Sequence, residues 1–116
     1  NKLEFVNELR KSVIFENLNI YRELFEKTDP NKATDLYWER ALRFFQKLDK
    51  SDREVFFKII RQIGVDATSN ILAIIDGVVW LEGQTEDFVL NMKNSKNQIN
   101  GDLQDMFLEL EELDLP

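Results

Sequence analysis

The chain contains no cysteine and no histidine. The first absence excludes disulfides, thiolate nucleophiles and Cys/His zinc sites; the second removes the commonest general acid–base group. Glycine and proline are scarce, at four and two copies, which argues against a turn-rich β fold and for helices. No apolar run approaches the ~20 residues of a membrane-spanning helix, and no secretory apolar core follows the N-terminus. The expected setting is the cytoplasm, with no membrane contact. Positive charge is also short: 15 Lys and Arg face 22 Asp and Glu, a net charge of −7. The basic residues do not cluster, so nucleic acid is not an expected partner. Phosphate-binding glycine loops, calcium loops and serine-hydrolase elbows are missing, and no cofactor is expected.

What remains is 116 residues that are 43% hydrophobic and 11% aromatic, with nine phenylalanines. That is enough apolar material for one domain with a real core. Hydrophobic periodicity predicts a first helix over about Leu3–Lys27. Its stripe holds Leu3, Val6, Leu9, Val13, Ile14, Leu18, Ile20, Tyr21, Leu24 and Phe25, with Phe5 and Phe15 off it. Arg10 and Asn17 fall inside the stripe. Arg10 either snorkels to water near the end of a bundle or meets an Asp from the third helix. Thr28-Asp29-Pro30 ends this helix and starts the next, with Asp29 or Thr34 as its cap. The second helix reaches about Leu48 and carries Ala33, Tyr37, Trp38, Ala41, Leu42, Phe44, Phe45 and Leu48 on its inner face. A two-residue turn, Asp49-Lys50, makes helices two and three antiparallel neighbours.

The third helix is the apolar centre of the chain. Ser51-Asp52-Arg53-Glu54 fits the S-x-x-E capping box that opens it. To Ile63 it is one-sided; from Gly64 to Leu81 it is apolar almost all round, which predicts burial. The spacing 56, 60, 63, 67, 71, 74, 78 runs through Gly64, so one long helix is expected, with Gly83 rather than Gly77 as its stop. Phe88, Leu90 and Met92 then alternate, Lys93–Lys96 reads as a turn, and a short β-like hairpin or loop is expected before the last helix. That helix spans about Asp102–Leu113, with Asp102 as cap and Leu103, Met106, Phe107, Leu110 and Leu113 inward. The expected fold is all-α: a four-helix, mainly antiparallel bundle.

Three constellations are candidate sites. The first is a polar strip on the third helix: Gln62, Asp66, Ser69, Asn70, Asp76 and, at its end, Trp80. If covered, Asp66 and Asp76 need donors, because an unpaired buried charge costs several kcal/mol. Arg10, Asn17, Arg40, Tyr21 and Tyr37 are the available ones. The strip is then a register-fixing polar network, or else a ligand or partner groove. The second is the acidic face Asp102, Asp105, Glu109 and Glu112, spaced to share one side of a helix. It is a solvated face, a patch for a basic partner, or a seat for Mg²⁺ or Mn²⁺. Glu23, Glu26 and Glu39 offer no convincing second carboxylate pair, and no metal site is assigned. The third is Trp80 beside its loop, a cap on the core or a hot-spot anchor.

The segments I-x-D-G-V-x-W-L-E-G (Ile74 to Gly83) and N-G-D-L-Q-D-M-F (Asn100 to Phe107) resemble stretches of small, uncharacterised bacterial all-α proteins. The resemblance covers about a quarter of the chain and implies a helical fold without assigning an activity. Small size, acidity and the missing residue types together favour a non-catalytic binding or regulatory module for a protein partner with a basic surface, of the immunity or antitoxin kind. The alternatives are a metal-dependent all-α nucleotide hydrolase that uses carboxylates alone, and a structural homodimer joined through the polar strip or the Trp80 region.

Overall fold

The computed structural model describes residues 1–114, and all regular structure among them is helical. The first rod is α1 (Lys2–Arg10), a π-helical segment (Lys11–Glu16) and α2 (Asn17–Lys27) in unbroken succession. Asn1 caps it: its side-chain oxygen accepts from the Glu4 amide at 2.9 Å. A π turn holds more residues than an α turn, so it shifts the helical phase. The rod's apolar side therefore departs from a uniform 100° stripe. Val6 and Ile14 are buried and Phe5 packs on the core, while Leu3 and Ile20 stand exposed.

Asp29 does cap, but it caps a short 3-10 turn, Pro30–Lys32, by accepting from the Asn31 amide at 2.9 Å. Asp35 starts α3 (Leu36–Gln46), accepting from the Tyr37 amide at 2.7 Å. The start of the next helix also differs from the expected capping box. Asp49, not Ser51, is the N-cap of α4 (Lys50–Ile75), and its carboxylate accepts from the Asp52 amide at 2.8 Å. A carboxylate two residues upstream outcompetes the hydroxyl because charge favours it at the helix start.

Helix α4 passes through Gly64 unbroken and stops earlier than expected. Gly77 adopts φ +80°. The Gly77 amide donates to Ile74 O (3.2 Å) and the Val78 amide to Ala73 O (2.9 Å), which is the paired pattern of a Schellman ending. The apolar run Val78–Leu81 thus lies outside the helix and is exposed. The stretch after Ile63 is not buried all round either: Ile63 and Ile71 are more than half exposed, because the neighbouring helices cover only one side of α4. The last helix, α5, spans Leu103–Leu113.

No β-hairpin forms, and no strand occurs among the described residues. Residues 76–102 follow an irregular path. A single backbone bond, Ile99 N–H to Leu90 O at 2.7 Å, joins the two limbs of the expected hairpin. The Leu90 amide is taken by the Asn100 side chain at 2.8 Å, so a side-chain acceptor replaces the next ladder bond.

Two apolar clusters hold the helices. One gathers Val6, Ile14, Val65, Leu72, Leu103 and Phe107 from α1, the π segment, α4 and α5. The other gathers Phe25, Leu42, Phe45 and Phe57 from α2, α3 and the start of α4. Its rings pack edge-on or tilted, Phe25 and Phe56 at 4.9 Å between centroids. Helix α4 serves both clusters at different heights, and the molecule is accordingly long. Its radius of gyration is 18.0 Å and its extents are 51 × 35 × 27 Å, whereas a compact domain of this length has a radius of about 13 Å.

Candidate functional site

The expected polar strip does not form one surface. Gln62, Asp66 and Asn70 are exposed, and the Gln62 amide group donates to the Asp66 carboxylate at 2.9 Å. None of Arg10, Asn17, Arg40, Tyr21 and Tyr37 hydrogen-bonds to Asp66 or Asp76 among the described residues. Ser69 is buried, and its hydroxyl accepts from Gln104 Nε2 at 3.1 Å. Asp76 is the C-cap of α4, and its two carboxylate oxygens accept from the Gly101 amide (2.7 Å) and the Gln104 amide (2.8 Å). One residue therefore closes the end of α4 and caps the start of α5. It takes the role expected of Asp102, whose side chain caps nothing and instead pairs with Lys2 at 3.2 Å. A carboxylate at the first amides of a helix meets the positive end of its dipole.

Next to Asp76 sits Asn100, which is buried. Its Nδ2 donates to Ile75 O (2.6 Å) and Phe88 O (2.9 Å), while its Oδ1 accepts from the Leu90 amide. Asn100 and Asp76 thus tie the base of the 76–102 segment to both helices. The segment presents Val78, Val79, Trp80 and Leu81 to solvent, with Trp80 48% exposed. Glu82, Glu86 and Asp87 follow, all exposed.

Arg10 is buried, at 7% exposure. It neither snorkels nor meets an Asp of α4; its partners come from the last helix and its end. Arg10 Nε donates to Glu111 Oε2 at 2.6 Å and Nη2 to the Asp114 carboxylate. Arg61 completes the group, donating to both oxygens of Glu111 at 2.9 and 3.2 Å. The Arg10 guanidinium also lies 4.8 Å from the centre of the Phe15 ring. Burial pushes the Glu111 carboxyl up, but hydrogen bonds from Arg61 and Arg10 outweigh it and hold its pKa below the ordinary value. Burial likewise opposes the charge on Arg10, and the bonds to Asp114 and Glu111 outweigh it and raise its pKa. Both Glu111 oxygens are engaged. The cluster clamps α1, α4 and α5 together, and no buried side-chain nitrogen or oxygen among the described residues lacks a hydrogen-bond partner.

On α5, Asp102, Asp105, Glu109 and Glu112 are exposed. No group of three or more metal-ligating side chains assembles among the described residues. No helix among them is long and apolar enough to cross a membrane.

A cleft of about 540 Å³ opens between the first rod, α3 and α4. Val13, Leu18, Tyr21, Trp38, Phe56 and Ile60 form most of its wall. It was not foreseen, because its lining was read as closed core. Glu111, Arg61, Asn100 and Gln104 were also missed as structural partners. Glu111 carried a readable signal: it follows Leu103 and Phe107, both fully buried, at successive steps of four. Compared with protein-family models, with curated proteins and with solved structures, the chain matches none.

Proposed function

We propose that this chain is a binding module without chemistry of its own, which docks a protein partner through the 76–102 segment in the way immunity and antitoxin proteins engage theirs. The observation that supports this is the pinned loop. An irregular connection much longer than about 12–15 residues is uncommon in a small domain and is usually functional or disordered. Here Asn100 and Asp76 fix its base, so ordering costs little on binding. It carries Trp80 and three aliphatic neighbours in the open, followed by Glu82, Glu86 and Asp87. An apolar anchor beside carboxylates suits a partner with an apolar pocket rimmed by Lys or Arg. The exposed α5 carboxylates add an acidic flank. The helical frame behind the loop is read as a mainly antiparallel bundle. The Arg22–Glu54 pair (3.2 Å) at one height of α2 and α4, and the approach of Ile14 to Gly64 at another, support that order.

The test is affinity capture with the whole chain, followed by mass spectrometry, comparing wild type with Trp80→Ala and with the double reversal Asp105→Lys, Glu109→Lys. The expected result is a specific partner lost with Trp80→Ala and weakened by the reversal at low salt, while circular dichroism stays unchanged. A partner indifferent to Trp80→Ala overturns the loop as its docking surface. Indifference to the reversal removes the acidic flank from it.

A further inference from the structure

Asn17 and Arg10 both interrupt the apolar stripe of the first rod, but only Arg10 finds a partner. The Asn17 side chain makes no hydrogen bond among the described residues, and Asn17 lines the 540 Å³ cleft between the rod, α3 and α4. Tyr21 and Tyr37 line it too, and their hydroxyls are likewise unbonded. From α4 comes Arg61, partly exposed, with one N–H of each terminal nitrogen given to Glu111. A guanidinium has five N–H groups, so three remain. Around these polar groups stand aromatic rings. Trp38 lies 6.4 Å from Tyr21 and 5.2 Å from Tyr37 between centroids, and Phe56 completes the set. Val13 and Ile14 of the π-helical segment form part of the wall, and π turns are rare and recur at functional sites. Small-molecule sites are clefts of about 300–1,000 Å³, mostly apolar, with a few placed polar groups.

We infer that this cleft binds a small, flat, uncharged aromatic molecule, with a carbonyl or hydroxyl oxygen turned toward Arg61 and Asn17. The rings select flatness, because aromatic pairs gain from offset and edge-on contacts that a planar guest can make with several walls at once. Charge selects neutrality. Arg10 and Arg61 are already balanced by Glu111 and Asp114. An anion therefore finds no uncompensated positive charge, and it must lose its water beside the Glu111 carboxylate. A cation finds no carboxylate on the cleft wall and must share the space with Arg61. A neutral oxygen has neither cost and can accept the N–H groups that Glu111 leaves free. Its place follows from the helices. Ile14 approaches Gly64, and Arg22 pairs with Glu54. On the antiparallel order proposed above, Asn17 and Arg61 then stand at one height, a turn in from Ile14 and Gly64. This site is separate from the 76–102 segment, none of whose residues lines it.

The experiment uses the scarcity of tryptophan. The chain has two, and Trp80→Phe leaves Trp38, on the cleft wall, as the only donor. The probe is Prodan, a neutral naphthyl ketone that accepts energy from tryptophan and shifts its emission to the blue away from water. The expected result is saturable energy transfer from Trp38 at one probe per chain, with the blue shift. In that background Ile63→Glu puts a charge on the wall at a site exposed enough to spare the fold, and binding should weaken about tenfold or more. Gly64→Phe sets a ring beside Ile14 and should abolish the transfer, with circular dichroism confirming that each variant folds. No saturable transfer overturns the inference, and so does transfer that both variants leave intact. Asn17→Leu should weaken Prodan about fivefold, the worth of one neutral hydrogen bond; an unchanged affinity overturns the placement of the ligand oxygen. Naphthalene carboxylate and a naphthyl trimethylammonium ion should bind about tenfold more weakly than Prodan. Equal binding by either overturns the uncharged class.

Discussion

Single residues decide more of this structure than their chemistry announces. Glu111 belongs by composition to an acidic helix and by position to the core, where Arg10 and Arg61 share its carboxylate. Its pKa is held below the ordinary 4.5, so it contributes stability in full above that value, and the contribution is lost as pH falls through the lowered pKa. Replacing it with Gln removes the charge but leaves two guanidinium groups to be satisfied. Glu111→Gln is expected to cost about 3 kcal/mol at pH 7. The gap to wild type should narrow below pH 4, read by urea unfolding across pH. A gap that persists unchanged at pH 3 would show that packing, not charge, makes the residue matter. Asn100 shows the other side of sequence legibility. An Asn before a Gly reads as a turn, and the turn is there, but its three long-range bonds depend on where Ile75, Phe88 and Leu90 arrive. No local pattern encodes that.

Elements were legible where periodicity and caps are local. The first rod, α3, α4 and α5 all lie where apolar spacing placed them, and a continuous α4 through Gly64 followed from the same spacing. Errors gathered at ends. Asp49 capped where Ser51 was expected, and Gly77 stopped α4 where Gly83 was expected; in both places local bonds at the helix end made the difference, from the Asp52 amide to Asp49 and from the Gly77 and Val78 amides to Ile74 and Ala73. The π segment was invisible because a phase slip only shows once the rod must face two cores. The two interior glycines should respond oppositely to alanine. Gly77→Ala forces a side chain into φ +80° and brings its Cβ to 2.9 Å from Asp87 Oδ1, and it is expected to lose about 1–2 kcal/mol. Gly64→Ala keeps helical geometry and meets Ile14 Cδ1 at an ordinary 3.6 Å, with a gain of about 0.5–1 kcal/mol. Thermal melts of the two variants check both signs.

At the scale of the molecule, two clusters strung along α4 predict uneven stability. Phe57 is almost fully buried among the aromatic rings of the second cluster. Phe57→Ala should cost about 3–5 kcal/mol, with hydrogen-exchange protection lost first in α2, α3 and the opening turns of α4. Protection in α1 and α5 should persist, and equal loss everywhere would mean the clusters melt as one. Shape was the least legible property: the sequence implied a buried third helix, and the structure leaves one side of it open, because residues 76–102 do not return to cover it. The bonds from Asp76 to Gly101 and Gln104 bear on that segment in another way. They bring its two ends together at the point where one helix hands over to the next, so the alignment of α4 and α5 does not depend on the exposed part of the path between them. The stretch from Val78 to Asp87 is in effect a cassette plugged into a fixed socket, whereas Leu90 and Ile99 pack on the first cluster and belong to the frame. An insertion after Gly83, which adopts φ +83° with open space around it, should therefore leave the helical frame and its melting point unchanged.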